Sequence, residues 1–476
     1  MKECLEISPF LEIEKKYNLY QDIIEGMNYW VYSRVEIWAN IILKNHLELG
    51  AAHRAEKTSL KSKVRIYLKM FVNAFKKIKC KNVDFCIVNH QRRVLQDGYY
   101  ECIYTDELAR VLSNNIVLEF PYQMKHFTPV KTNNLFYMDE VILRKVVGLV
   151  LYRTIFKNKY KKIEAEVRSK TKKVLDNIEE VYDIKINKEA VVECIVQQII
   201  YYKVSINYMK RIIEKINPKA VIEVVSYSPN CMMINEVCKE MKIKVIELQH
   251  GIMDEHIAYS YALPCEIKQF PDKVYMFSSN WKKYLKVPIK DENIIGIGYP
   301  FLERKINTAK KIDFYNDERI NILFISQGTI GRKLSVLAGQ LAEQLDLDKY
   351  RIFYKLHPGE MMDWKKNYPA LLNDKLIVIS GNEYSLYDYF ATCQIQIGVY
   401  STALYEGLGF GLATYIYRIE LSEHMKRICQ DGYAKFFENC DELVKKIKSH
   451  GKNNHMSEFW ERNALKNMLD NIENML

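Results

Sequence analysis

Two stretches in the second half decide how this chain is read: Arg351-Ile-Phe-Tyr-Lys-Leu-His357-Pro358-Gly359-Glu360 and Ile395-Gln-Ile-Gly398-Val-Tyr-Ser401-Thr402-Ala-Leu-Tyr-Glu406-Gly407. The first reads as a buried strand that stops at His-Pro-Gly, because a proline cannot donate to a sheet ladder. The second is a short apolar strand that runs through small residues into a helix start. Both place polar groups at the carboxyl end of a strand, where open α/β sheets bind their ligands. The expectation is one nucleotide-phosphate pocket shared by the two strand ends.

Each residue of that pocket has an expected task. An imidazole at His357 can donate a hydrogen bond to a phosphate oxygen or act as acid or base. Pro358 ends the strand, and Gly359 lets a ligand approach the backbone. Ser401 and Thr402 stand where a helix N-terminus and its hydroxyls hold an anion, although capping of the helix explains the same two hydroxyls. Glu406, about one turn further on, is suited to accept from ribose hydroxyls. The turn Gln327-Gly328-Thr329 closes another strand, Asn321–Ser326, and joins the phosphate-binding set. Lys355 lies deeper in its strand and receives no role.

Outward from this centre, strands and helices alternate on both sides. Val83–His90, Asn115–Phe120, Ala220–Ser226, Lys244–Gln249, Lys273–Phe277 and Asn293–Ile297 read as strands of a first half. Strand, helix, strand at this spacing implies parallel sheets and right-handed crossovers. The fold expected is α/β of GT-B type: two Rossmann-like doubly wound domains, a deep cleft between them and an N-terminal helical segment. The expected divisions are a helical, basic segment over residues 1–82, an acceptor domain over 83–302 and a nucleotide-sugar donor domain over 303–476. The charged stretch Glu303–Arg319 reads as a linker or first helix, and Met361–Leu371 as a helix.

The first half carries its own strand-end candidates. Gln249-His250-Gly251 ends a strand, with His250 as a catalytic or substrate-contacting group and Gln249 on the acceptor side. Asp254, Glu255 and His256 follow closely, but their spacing fits no zinc pattern. Arg92 and Arg93 are acceptor-side candidates. Asp97-Gly98 just beyond them is either an ordinary turn or a carboxylate at a loop tip that serves as general base.

At 476 residues the chain is long for one core, and 48% of its residues are apolar, enough to bury two. The eleven cysteines are scattered without C-x-x-C pairs and read as free thiols of a reducing compartment. No run approaches the roughly 18 apolar residues of a membrane span. The expected location is cytoplasmic, peripheral at the inner face of the membrane. A formal charge of +11 asks for an acidic partner. Much of it lies between Arg54 and Lys81, where Lys and Arg alternate with Leu60, Val64, Ile66, Tyr67, Met70, Phe71 and Phe75. That pattern is either a helix packed by its apolar stripe or a basic amphipathic helix on an anionic membrane. No nucleic-acid module accompanies it.

Taken in order, Gln249-His250-Gly251, His357-Pro358 and Ser401-Thr402 to Glu406 resemble motifs of bacterial glycosyltransferases that build capsule and lipopolysaccharide. The resemblance is to the GT-B group with sialyltransferases, polysialyltransferases and Kdo transferases, and more distantly to CDP-glycerol glycerophosphotransferases. It covers roughly residues 83 to 420. It implies that His357-Pro358 and Ser401-Thr402 hold the CMP phosphate, with catalysis by His357 and a base. Gln96-Asp97-Gly98 matches in part the acidic motif that supplies the base in the sialyl members. His250-Gly251 resembles the His-Gly motif that carries it in the glycerophosphotransferases. The expected activity is metal- and cofactor-independent transfer of a sugar from a nucleotide donor, CMP-sialic-acid-like or Kdo-like first and UDP-linked second. The expected acceptor is a hydroxyl of a surface polysaccharide or lipid-linked glycan. Polyol-phosphate transfer on the same fold and a non-catalytic assembly role are the alternatives.

Overall fold

In the computed structural model the described residues are 5–43, 60–91, 93–253, 256–315, 317–381, 383–419, 421–449 and 459–473. Two compact units emerge, residues 1–297 with 465–476, and residues 298–464.

The first unit begins with helices α1 (Ser8–Lys16) and α2 (Tyr29–Glu36), the latter running into a π-helical stretch over Ile37–Leu43. Helix α3 (Leu60–Ala74) follows, then β1 (Phe85–Val88), a hairpin of β2 (Val94–Gln96) and β3 (Tyr99–Glu101), α4 (Asp106–Val111), β4 (Asn115–Glu119) and β5 (Leu135–Tyr137). Three long helices come next, α5 (Asp139–Thr154), α6 (Lys157–Tyr182) and α7 (Lys188–Ile216). The unit continues with β6 (Ala220–Val224), α8 (Pro229–Glu240), β7 (Lys244–Leu248), β8 (Lys273–Met276) and β9 (Ile294–Gly296). Seven strands form one sheet in the order β5-β4-β1-β6-β7-β8-β9, every pair parallel. Strands β1, β4 and β6 are buried along their whole length, as strands of a sheet covered on both faces are, and Asn115, Glu119 and Glu223 are buried with them.

The N-terminal helices belong to this unit, where a separate segment over residues 1–82 was expected. Arg34 and Glu14, both fully buried, pair through two nitrogens at 2.7 and 2.8 Å. Tyr20 and Trp30 donate to the same carboxylate at 2.6 and 2.7 Å. Arg34 also donates to the carbonyls of Ile257 and Ser260 at 2.6 and 2.8 Å, so α2 anchors the loop that follows His250-Gly251. A buried pair satisfied on every side in this way holds its charges without loose ends.

The second unit contains α9 (Pro300–Thr308), β10 (Ile320–Ile325), α10 (Gly331–Gln344), β11 (Tyr350–Lys355), α11 (Trp364–Asn367), β12 (Ile377–Ile379), α12 (Leu386–Thr392), β13 (Ile395–Gly398), α13 (Thr402–Gly409), β14 (Ala413–Tyr417), α14 (Lys426–Gln430), β15 (Ala434–Phe437) and α15 (Cys440–Lys448). Its parallel sheet runs β12-β11-β10-β13-β14-β15. The last helix, α16 (Ala464–Glu473), falls almost wholly in the first unit, whereas residues 303–476 were expected to form one domain.

The division falls at Gly298, ahead of the expected position after Leu302. Gly298 has φ +94°, and a Cβ there would stand 2.5 Å from the Glu461 carbonyl oxygen. The start of the Glu303–Arg319 stretch is helix rather than linker, with the Glu303 carboxylate accepting from the N–H groups of Asn463 and Ala464 at 2.7 and 2.8 Å. The helix expected over Met361–Leu371 is broken into α11 and a 3₁₀ turn that starts at Pro369, whose ring cannot continue α11.

Candidate functional site

Strand β10 lies at the middle of the second sheet. The chain moves outward through β11 and β12, then returns to β13 on the other side of β10 and continues outward. The order therefore reverses between β10 and β13, the position at which doubly wound sheets bind ligands beyond their carboxyl ends. The expected phosphate residues fall there: Gln327-Gly328-Thr329 after β10, His357-Pro358-Gly359 after β11, and Ser401-Thr402 after β13. Thr329 Oγ1 lies 2.5 Å from the hydroxyl of Tyr400, so the turns after β10 and β13 touch. The side-chain oxygen of Gln327 is buried and meets no hydrogen-bond partner among the described residues.

His357 is exposed and precedes a short 3₁₀ turn, Pro358–Glu360. Its Nδ1 accepts from the Gly359 N–H at 3.2 Å. In the neutral ring the proton then resides on Nε2, which leaves one donor for a ligand. Glu360, on which no role was placed, holds this geometry. One carboxylate oxygen accepts from the His357 N–H at 2.7 Å, and the other accepts from the hydroxyls of Ser326 and Tyr368 at 3.0 and 2.7 Å. Gly331 is needed beside it, since a Cβ there would come within 2.2 Å of that second oxygen. The buried carboxylate thus ties the ends of β10 and β11 together.

Ser401 caps α13, its hydroxyl accepting from the Ala403 N–H at 3.2 Å. Thr402 is exposed at the first turn. Glu406 is half-buried and accepts from the Tyr387 hydroxyl at 3.0 Å, so that oxygen has a partner within the protein. Lys355 donates to the Gly381 carbonyl at 3.0 Å, and burial lowers its pKa. His424, whose pKa burial also lowers, lies with its ring centre 6.0 Å from that of Tyr400.

In the first unit the order reverses between β1 and β6, and the strand ends carry aromatic rings and histidines. His250 follows β7 and is half-buried. Its Nε2 lies 3.2 Å from the Tyr227 hydroxyl, its carbonyl accepts from Tyr104 at 2.7 Å, and its Nδ1 is buried with no partner among the described residues. Burial, then the neighbouring charges of His90 and His256, push its pKa down to about 3. The ring is therefore neutral at any working pH. His90, at the end of β1, stacks on it with centroids 5.9 Å apart. His90 and Tyr227, like Tyr400 in the second unit, stand two or three residues past a strand's last residue, which is the signal that would have found them.

The remaining first-unit candidates are placed differently. Asp97 and Gly98 have φ of 50° and 78° and form the two-residue tip of the β2–β3 hairpin, with Asp97 exposed. Positive φ at both positions is the type I′ turn that Asp-Gly favours, so the ordinary turn is present and the carboxylate stands at its tip. Arg93, expected on the acceptor side, is buried between Asp106 and Glu119. Glu119 and Asp139 bracket His126 at 2.6 and 2.9 Å, which completes an internal network. Gln249 is likewise turned inward, its amide accepting from the Phe277 N–H and donating to the Gly251 carbonyl, both at 2.7 Å. Arg92, Asp254, Glu255 and the basic residues 54–59 lie outside the described residues. Among the described residues no group of three or more His, Cys, Asp or Glu is placed to hold a metal ion.

No family model matches the chain, and no curated protein matches it. Among solved structures it is similar to the UDP-GlcNAc 2-epimerase from Methanocaldococcus jannaschii, at 12% identity over 82% of this chain and 99% of that one, with a TM-score of 0.51. It also matches the UDP-N-acetylglucosamine 2-epimerase from Rickettsia bellii at 13% identity, covering 82% and 95% with a TM-score of 0.43. A third match is MurG from Acinetobacter baumannii at 13% identity, covering 58% and 78% with a TM-score of 0.40. The first of these likenesses, together with the two parallel sheets, shows the fold: two Rossmann-like α/β units of GT-B type.

Proposed function

We propose that the chain is a glycosyltransferase that moves a sugar from a nucleotide-activated donor to a hydroxyl of a surface polysaccharide or lipid-linked glycan. The observation that carries this reading is the carboxyl edge of the second sheet. There His357, Gln327–Thr329 and Ser401-Thr402 follow three adjacent strands at the point where strand order reverses. That edge offers donors to an anion: the His357 Nε2–H, the Thr402 hydroxyl and the N-terminal N–H groups of α13. The donor is a CMP-linked acidic sugar by the motif resemblance, with a UDP-sugar second; the fold likeness to a UDP-GlcNAc 2-epimerase supports a nucleotide-sugar ligand.

In this mechanism the second unit holds the nucleotide, and its donors stabilise the charge that develops on the leaving phosphate. Such fixed donors are commonly the largest catalytic contribution. The base that takes the acceptor's proton is Asp97 or His250, the residues that the two motif resemblances nominate. Asp97 is exposed at its hairpin tip. His250 is neutral, as a base must be, but its basicity lies far below working pH until an anion beside it raises the pKa.

A second reading, nucleotide-sugar epimerisation, is favoured by the same fold likeness. Incubating the protein with a donor panel, with and without acceptor glycan, separates the outcomes by product. Sugar on the acceptor supports transfer, an altered sugar still on its nucleotide supports epimerisation, and phosphate moved with a polyol supports polyol-phosphate transfer. Full turnover by His357→Ala removes the site assignment.

A further inference from the structure

Helix α3 carries apolar side chains on two opposite faces, and among the described residues only one of them is buried. Met70 and Asn73 face inward, buried, and Asn73 donates to the carboxylate of Asp139 at 3.1 Å. The sequence pattern had merged Met70, Phe71 and Phe75 into a single stripe; the structure divides them. Leu68, Phe71, Val72 and Phe75, three and four residues apart, are 61%, 55%, 62% and 70% exposed. The Phe71 and Phe75 rings meet edge to face with centroids 4.7 Å apart. Among the described residues the inner face is the one that packs, and an exposed apolar stripe of this kind commonly marks an interaction site.

The charge around the stripe selects what covers it. From Leu60 to Lys81 there is no Asp or Glu, and exposed Arg65, Lys69, Lys77 and Lys79 flank or follow the stripe. Helix α5, which packs along α3, ends in a second exposed apolar corner, Ile155 and Phe156, 70% and 40% exposed. Lys157 and Lys159 follow directly, with the Lys159 ammonium 5.4 Å from the Phe156 ring centre. Two copies of such a surface repel each other, and nucleic acid has no use for a Leu/Phe stripe. An anionic bilayer satisfies both halves: acyl chains take the apolar side chains and headgroups take the lysines.

We infer that the outer face of α3, with the α5–α6 corner, is a docking surface for anionic lipid. This goes beyond the transfer reaction and stands or falls separately from it, since it is read from vesicle binding rather than turnover. The test is co-sedimentation of the full chain with phosphatidylglycerol/phosphatidylcholine vesicles and with phosphatidylcholine alone. Binding is expected to the anionic vesicles only and to weaken as salt rises. The double variant Phe71→Ser/Phe75→Ser should bind on the order of tenfold more weakly or worse, with its thermal unfolding and nucleotide binding unchanged. Lys69→Glu should weaken binding through charge alone. The inference is overturned if the wild type ignores anionic vesicles, or if both variants bind as it does. It is also overturned if sedimentation velocity shows a dimer that the double variant dissociates, because a second copy would then be the occupant.

Discussion

At the carboxyl edge of the second sheet His357, Thr329 and Thr402 stand exposed; at the same edge of the first, the side chains of Arg93, Glu119, His126 and Asp139 lie buried and answer one another. Both sheets start from a central strand, grow to one side and return to the other. They differ in what the strand-end polar groups face. In the second unit the buried partner, Glu360, holds the loop by its backbone and leaves the His357 ring outside. In the first unit the charges neutralise each other, and Gln249 closes its own loop. A polar residue at a strand end is thus a ligand candidate only if no nearer partner has claimed it.

The largest effect expected from this contrast is on stability. Arg93→Ala leaves Glu119 and Asp106 without their cation in a buried site and should cost about 3–5 kcal/mol in chemical denaturation. A loss below about 1 kcal/mol would mean that Arg93 is not the internal tie described. His357→Ala should do the reverse. Turnover is expected to fall by about 10²–10³, while the unfolding free energy moves by no more than about 1 kcal/mol. Equal damage to both readouts would erase the distinction between the two edges.

A pH series sharpens the contrast within the first unit. Glu223 and Glu247 face each other across β6 and β7, fully buried, and burial followed by the Glu247 charge raises the Glu223 pKa from 4.5 to about 8. The unfolded chain releases this proton near 4.5, the folded one near 8, so the folded state loses stability as pH rises through that window. His250 acts oppositely: its depressed pKa means that stability is lost as pH falls from about 6.5 towards 3. Glu223→Gln keeps an oxygen for Asn235, which donates at 2.8 Å, and should flatten the alkaline limb by on the order of a few kcal/mol. An unchanged slope in the variant's denaturation series would remove Glu223 as the cause. The smallest effect is at the α13 cap, where Ser401→Ala should cost about 1 kcal/mol. If Thr402→Ala weakens nucleotide binding and Ser401→Ala leaves it unchanged, capping is the whole task of Ser401.

The sequence pattern carried the sheets because their signals are local. His357-Pro358 stops β11, Asp97-Gly98 turns a hairpin, and runs such as Phe85–Val88 are apolar throughout. The polar strand ends of the second unit were legible for the same reason. What escaped depends on partners far away in the chain. Arg93 reads as a free cation until Glu119 is brought beside it by the β1–β4 pairing. Arg34 and Glu14 give no hint that they hold the loop at Ile257–Ser260. Glu360 belongs to the same His-Pro-Gly motif, but its role depends on Ser326 and Tyr368 meeting at one oxygen, which no local pattern shows. The split of α3 into a used and an unused apolar face likewise needed α5 in place.

The carboxyl edge of the second sheet is proposed to bind the phosphate of a nucleotide. Isothermal titration of the protein with CMP, CDP, UDP and GDP, alongside His357→Ala and Thr402→Ala, tests it most directly. One nucleotide is expected to bind with a clear preference, and both variants to bind it at least about tenfold more weakly, the loss of one charge-assisted donor each. Binding of no nucleotide, or equal affinity in wild type and His357→Ala, would contradict it.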